Sequence, residues 1–211
     1  MAAGRSAHSV DPFASIHSGT LTHLRKHGCH CYPFFDGSLL GVIAGAAGAR
    51  RIVELGTALG YTACWFAHGA PDARIDTIDF DPEHVRLAGA NIEAAGFGKR
   101  VTLHEGAFDD VLPKLKPGYD VGFFDGFDPT LRNLKELRTL LRPGGVLITT
   151  NLNFGSEART YRERLSDSKQ WLTTFAAEMA ARRLVSRCSH PRRSQSPMRS
   201  TASRISAAEP A

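Results

Sequence analysis

At 211 residues, 42% hydrophobic and 22% charged, the chain is long enough for one core-bearing domain and has the balance of an ordinary globule. It contains no run near the roughly 18 consecutive apolar residues of a membrane span, and its start, MAAGRSAHSVDP, lacks the apolar core of roughly 7–15 residues of a secretory signal. The net charge of +5 belongs to one end: Arg182, Arg183, Arg187, Arg192, Arg193, Arg199 and Arg204 face a single acid, Glu209, so the body is close to neutral and a nucleic-acid partner is not expected.

The first 50 residues read as a helical segment, with Ser38 to Ala47 a buried helix. From there short apolar runs alternate with helical patterns, as in parallel α/β proteins. Arg51 to Leu55 is a strand, followed by a Gly-bearing turn and a helix from about Tyr61 to His68. Arg74 to Phe80 is the second strand. Pro82 then opens a helix, where its missing N–H costs nothing, and Val85, Ala88, Ile92 and Ala95 follow at helical spacing to a stop at Gly96. Val101 to Glu105 is the third strand, with a short helix over Val111 to Leu115. Tyr119 to Asp125 is the fourth, Leu131 to Leu141 a helix, and Pro143-Gly144-Gly145 a turn into a fifth strand from Val146 to Thr150. Trp171 to Phe175 is a candidate sixth strand and Leu184 to Cys188 a seventh. The Ser/Arg/Pro-rich residues 189–211 hold too few large apolar groups to repay the entropy of ordering and are expected to be a disordered tail. Residues 51–188 are thus expected to form a Rossmann-like, doubly wound, mostly parallel sheet with flanking helices.

In such sheets ligands sit beyond the carboxyl ends of the strands, where strand order reverses. The first strand runs into Glu54-Leu55-Gly56-Thr57-Ala58-Leu59-Gly60-Tyr61-Thr62. Gly56 permits a sharp turn and leaves bare backbone against a ligand, and Gly60 opens the helix close to the sheet. Asp79 ends the next strand, about 20 residues on, where a carboxylate accepts hydrogen bonds from both hydroxyls of a ribose. A glycine-rich first turn plus that acid implies an adenosine-type cofactor. The spacing is G-x-x-x-G, not the G-x-G-x-x-G that brings a helix N-terminus onto a pyrophosphate, which disfavours a nicotinamide-dependent oxidoreductase.

The pattern E-x-G-x-x-x-G followed by the acid resembles the class I S-adenosylmethionine-dependent methyltransferases, whose cofactor carries no phosphate and whose positive sulfonium and amino group suit Glu54. From about Tyr32 to Gly155, the segments ELGTALGYT, TIDFDPE, VTLHEGAFDDVLPKL and YDVGFFDG look like the catechol and caffeoyl-CoA O-methyltransferase family, in order and spacing. The resemblance implies a small-molecule acceptor, S-adenosylmethionine as cofactor, and a homodimer as one open assembly. It places Glu54, Gly56 and Thr62, with Thr57 and Gly60 in the same turn, at the methionine part of the cofactor. It puts Asp79 on the ribose, Gly106 and Ala107 at the adenine, and Asp125 facing the methyl-transfer centre. Residues 1–50 would cover the acceptor site.

Two departures touch the acceptor chemistry. The family's divalent cation (Mg²⁺) is held by an Asp at the fourth strand tip and an Asp-Asn pair at the fifth; here Asp125 and Asn151 remain, but Thr150 stands where the middle Asp belongs. The catalytic Lys three residues after the first Asp is Asp128. Three readings stay open: a weak cation site on Asp125 and Asn151 with Asp128 as replacement carboxylate; metal-free transfer with Asp125 or Asp128 as base; or a silent cofactor-binding protein.

The four cysteines, Cys29, Cys31, Cys64 and Cys188, are too irregular for a disulfide framework, and a reducing cytoplasm is the expected compartment. His23, His27, Cys29, His30 and Cys31 crowd within nine residues (HLRKHGCHC). The pair is C-x-C, not C-x-x-C, and no second paired knuckle follows, so these side chains are expected not to converge on a metal. Among the aromatics near Asp125, Phe123 and Phe124 read as core, and Phe127 as a candidate acceptor wall.

Overall fold

The computed structural model describes residues 11–175, of which residues 11–174 lie in one compact unit. The candidate strand over Leu184 to Cys188 and the tail over 189–211 lie outside the described residues. Two helices, α1 (Ala14–His27) and α2 (Gly37–Ala46), precede a β/α series: β1 (Arg51–Leu55), α3 (Tyr61–Gly69), β2 (Arg74–Asp79), α4 (Pro82–Ala94), β3 (Val101–Glu105), α5 (Phe108–Val111), β4 (Tyr119–Phe124), α6 (Leu131–Leu140), β5 (Leu141–Thr149) and α7 (Ala158–Leu165). The five strands form one parallel sheet in the order β3-β2-β1-β4-β5, so the chain reverses direction across the sheet between β1 and β4. This is the Rossmann-like, doubly wound arrangement that the alternating pattern implies. No helix among the described residues is long and apolar enough to cross a membrane.

Helices on both faces bury the central strands. One face collects Ile52, Ile75, Val121 and Phe123 with Phe66, Ile92 and Phe13; the other collects Val53, Leu55, Ile78 and Phe124 with Leu112, Leu137 and Leu140. Alternate residues of each strand serve the two sides, the period-2 rule of a pleated sheet covered on both faces. Capping follows local chemistry: the Asp81 carboxylate accepts from the N–H groups of Glu83 and His84 ahead of Pro82, and the Thr130 hydroxyl accepts from Asn133.

The α2–α3 contact is built from glycines. A Cβ on Gly69 would lie 2.1 Å from the Gly41 carbonyl oxygen, and one on Gly45 would lie 2.8 Å from that of Gly69. The obstacle is backbone, which cannot rotate away. Gly69→Ala is therefore expected to cost about 2–3 kcal/mol and lower Tm by roughly 5–10 °C in a chain of this size. Gly19→Ala, in the middle of α1 with nothing within 4 Å, is expected to hold or raise Tm through helix propensity. Thermal unfolding of the two variants checks the pair, and equal losses would contradict it.

Two sequence expectations are corrected. Pro143-Gly144-Gly145 does not separate β5 from α6 as a turn: β5 starts at Leu141, and Asp120 of β4 alone faces residues 142–145 between the Tyr119–Leu141 and Val121–Val146 pairs, a bulge that Gly144 at φ 76° makes possible. Arg142 closes it with an ion pair to Asp120 at 2.5 Å. Trp171 to Phe175 is not a strand. The Trp171 N–H is held by the Asp167 carbonyl at 3.0 Å and its ring packs on the Leu134–Tyr161–Leu165 cluster, so it finishes α7 instead of pairing with β5.

Candidate functional site

The carboxyl ends of β1, β2 and β4 lie side by side, because Leu55 pairs with Ile78 on one side and Phe124 on the other. The next residues keep that register: Gly56 N–H donates to Ile78 O at 3.0 Å and Asp125 N–H to Leu55 O at 2.8 Å. Gly56 therefore sits between Asp79 and Asp125 at the switch point. It has φ 100°, and a Cβ there would stand 2.9 Å from the Asp125 carbonyl oxygen, so only glycine fits. Gly60 (φ 89°) opens α3, where a Cβ would press on Ile92 at 3.2 Å.

Asp79 is nearly buried and already organised. Its Oδ2 accepts from Ala58 N–H at 2.9 Å, its Oδ1 from Asp81 N–H at 3.0 Å, and His84 Nδ1 stands 3.5 Å from Oδ1. Ala58 pays for the first of these bonds with φ 44°, an uncommon conformation for a residue with a Cβ and a mark of a turn shaped by its site. Oδ2 keeps a further lone pair for a ribose hydroxyl, and Oδ1 accepts a second in exchange for its long contact with His84. Gly106 N–H donates to Asp79 O at 2.9 Å, which sets the Gly106-Ala107 turn after β3 beside the same strand tip. Phe80, 73% exposed, follows Asp79 directly; the sequence reading did not single it out.

A shallow cleft lies over the β1 turn. Gly56, Thr57, Ala58, Leu59 and Thr62 form its floor with Asp125 at one end, while Thr20 of α1 and the Tyr32-Pro33-Phe34 segment close it from above. Glu54 does not line this cleft. It is fully buried below the floor, where Thr62 Oγ1 donates to Oε1 and Thr77 Oγ1 donates to Oε2 at 2.6 Å, and Thr57 and Thr77 share a hydroxyl contact at 2.6 Å. Burial pushes the Glu54 carboxyl up to about 8 against the two threonine donors, with Asp125 and Asp79 adding to the rise.

At the β4 and β5 tips the donors do not suit a hard cation. Thr150 Oγ1 donates to Asp125 Oδ1 at 2.5 Å, filling the place of the missing carboxylate with a hydroxyl. Asn151, at φ 57°, donates its side-chain N–H to Gly126 O at 2.8 Å. Asp128 lies against another segment: a Cβ on Gly155 would meet its Oδ1 at 1.6 Å. One carboxylate and one amide oxygen are too few anionic ligands for Mg²⁺. Past the β4 tip, Phe127 stacks on Phe154 (centroids 5.6 Å apart) and meets His30 at 5.1 Å, and both phenylalanines are about half exposed.

The HLRKHGCHC segment does what its spacing argued against. His23, Cys29 and Cys31 converge with His84 of α4, one donor atom from each lying within 4.8 Å of the others. No other group of three or more His, Cys, Asp or Glu with metal-holding geometry occurs among the described residues. His84 was missed because only the fold brings α4 to the end of α1.

The fold is that of a Rossmann-like domain, with a glycine turn and two carboxylates gathered at its switch point. Residues 53–151 match the family model described as a methyltransferase domain. The catechol O-methyltransferase of Mycobacterium tuberculosis is 34% identical over 120 residues, covering 56% of this chain and 54% of that protein. A putative O-methyltransferase of Mycolicibacterium vanbaalenii is 36% identical over 126 residues, covering 58% and 56%. The chain thus spans a little over half the length of these curated relatives. Among solved structures, an O-methyltransferase from Bacillus cereus in complex with S-adenosylhomocysteine aligns with TM-score 0.64 at 25% identity, over 72% of this chain and 79% of that one. The O-methyltransferase TomG of Streptomyces achromogenes, in complex with S-adenosylmethionine, gives 0.64 at 26% identity over 72% and 77%. The resemblance read from the sequence, to S-adenosylmethionine-dependent O-methyltransferases, is the one these comparisons return.

Proposed function

We propose that the protein transfers the methyl group of S-adenosylmethionine to a hydroxyl of a small, planar acceptor in the cytoplasm, without a metal ion. The observation that carries this reading is the alignment of Gly56, Asp79 and Asp125 at the switch point, where Gly56 lets the β1 turn pass close against the Asp125 backbone between the two carboxylates. The relatives that match the same segment are named O-methyltransferases, and two structural neighbours hold this cofactor or its demethylated product.

In this reading Asp79 accepts both ribose hydroxyls, Phe80 and the Gly106-Ala107 turn flank the adenine, and Thr57, Gly60 and Thr62 shape the floor under the methionine portion. Glu54 acts from beneath the floor, through Thr62 and Thr77. When bound, the cofactor supplies a methyl group made electrophilic by the sulfonium. The protein's part is then alignment and exclusion of water, which can supply a large share of the barrier reduction. Tyr32, Pro33 and Phe34 cover the cleft, and Phe127, Phe154 and His30 offer a flat apolar wall to an aromatic ring. Asp125, oriented by Thr150, is placed to take the acceptor's proton as the oxygen attacks; Asp128 is the second carboxylate within that loop.

Calorimetric titration of the wild type with S-adenosylhomocysteine, with and without Mg²⁺, tests the reading. The expected result is one site in the micromolar range that Mg²⁺ leaves unchanged, followed by turnover of S-adenosylmethionine with a phenolic acceptor. Binding strengthened by Mg²⁺ would restore the cation, binding with no turnover across acceptors would leave a silent cofactor-binding protein, and no binding by folded protein would reduce the likeness to one of fold.

A further inference from the structure

We propose that His23, Cys29, Cys31 and His84 form a binding site for a soft divalent cation, zinc by preference, that ties the end of α1 and its following loop to the start of α4. The site is separate from the β4–β5 tips and independent of the methyl-transfer reading. Four observations carry it. The donor set is two thiols and two imidazoles, the composition that favours tetrahedral Zn²⁺ over the hard cations that prefer oxygen. The four donor atoms lie within 4.8 Å of one another; bond lengths of about 2.3 Å to sulfur and about 2.0 Å to nitrogen place tetrahedral donors roughly 3.3–3.8 Å apart, so closing on an ion takes about an ångström of side-chain movement. Cys29 Sγ and Cys31 Sγ, both free thiols, stand 2.9 Å apart, so binding only spreads a pair that is already together.

The fourth observation concerns His84. Its ring is buried, yet Nε2 makes no hydrogen bond, with Asp81 Oδ2 standing 3.8 Å away. An orphaned imidazole nitrogen inside a protein costs free energy unless something fills its place. Nδ1 stands 3.5 Å from Asp79 Oδ1, which is the carboxylate–histidine relation that orients metal-bound imidazoles. A cation on Nε2 satisfies the orphan and leaves Nδ1–H directed at Asp79. His23, set edge-to-face with His84 (centroids 5.2 Å apart) and stacked on His27 at 4.4 Å, closes the set from α1. His27 is outside it.

The physical consequence is a cross-link between the loop that leads into the cover of the cleft and the start of α4, just after Asp79. Gly28, at φ 65°, ends α1, and only Cys29 to Cys31 separates that end from the Tyr32-Pro33-Phe34 cover. A cation shared by Cys29, Cys31 and His84 fixes this short loop beside Asp79.

Titration of the reduced full-length protein with Co²⁺, the spectroscopic stand-in for zinc, tests the site. The expected result is a single equivalent that gives tetrahedral ligand-field bands and thiolate-to-cobalt charge transfer, both erased by one equivalent of Zn²⁺. Cys29→Ser and Cys31→Ser should each lose about half of the charge-transfer intensity. His23→Gln and His84→Gln should weaken Co²⁺ binding at least tenfold, while His27→Gln leaves it unchanged. Should a cysteine variant fail to fold, alkylation of the wild type followed by peptide mapping decides: Zn²⁺ should protect Cys29 and Cys31 together. Absence of charge transfer with Co²⁺ in excess, intensity indifferent to both cysteine variants, or a Cys29–Cys31 disulfide whose reduced form takes up no metal would overturn the proposal.

Discussion

Asp79→Ala is expected to reduce affinity for S-adenosylhomocysteine by at least about 100-fold, the largest effect of any single side chain at the cleft. Hydrogen bonds to a charged acceptor contribute about 1.5–3 kcal/mol each, and a ribose offers two hydroxyls to this carboxylate, so a loss of about 3 kcal/mol is the lower end. The substitution also orphans two backbone N–H groups, those of Ala58 and Asp81, and removes the anion beside His84. Tm should therefore fall as well, since a buried donor left unpaired costs about 1–3 kcal/mol. Asp79→Asn separates the two roles. An amide oxygen can keep the Ala58 N–H, but its NH₂ faces the Asp81 N–H, and it brings no charge to the ribose. Part of the stability should return, through the Ala58 N–H, while affinity stays well below wild type. Calorimetry with a thermal unfolding control on each variant checks this, and a folded Asp79→Ala protein with wild-type affinity would move the ribose elsewhere.

How far this site was legible in the sequence depends on the distance over which each signal acts. Gly56, Gly60 and Asp79 declare themselves because their roles are local: a turn off a strand, a helix start and a strand end, each fixed by neighbours within a few residues. Strand register then carries Asp125 to the same edge, a step the parallel order implies. The β5 bulge is not local in that sense. Pro143-Gly144-Gly145 is good turn chemistry, and only Asp120 of the neighbouring strand, gripping Arg142, shows that the turn is folded into the strand. Trp171 to Phe175 has strand composition, but β5 does not pair with it; composition cannot say whether an edge is available. For α7 the signal exists in Ala158, Tyr161 and Leu165, apolar at i, i+3 and i+7 in an otherwise polar stretch. His84 is the sharpest case. Its partners are far away in sequence, and a spacing rule applied to HLRKHGCHC alone could only see a C-x-C pair with no second knuckle.

Glu54 shows the opposite limit, a residue placed correctly in sequence whose chemistry depends on depth. Its position in E-x-G-x-x-x-G points to the cofactor's positive end, yet the side chain lies under the floor with no water to hold its charge. The carboxyl of the cofactor-free protein is consequently pushed up to about 8, chiefly by burial. The ordinary carboxyl value of 4.5 applies to the unfolded chain. A pKa raised by folding means that the native state binds the extra proton: the stabilisation is complete below the unfolded value and is lost as pH rises through about 8. Stability of the cofactor-free wild type should therefore decline by up to a few kcal/mol across this window, and Glu54→Gln, which cannot ionise, should lose that slope. Cofactor binding reverses the preference, because a cation above the floor favours the carboxylate. Binding should then expel close to one proton at pH 7 and tighten by roughly tenfold or more between pH 6 and pH 8. Calorimetry in buffers of different ionisation enthalpy reads the proton directly. In Glu54→Gln the proton release should vanish, affinity should become flat with pH, and at pH 8 it should lie at least tenfold below wild type. Wild-type binding that releases no proton would mean that Glu54 stays neutral beneath the cofactor, its part limited to holding Thr62 and Thr77 in place.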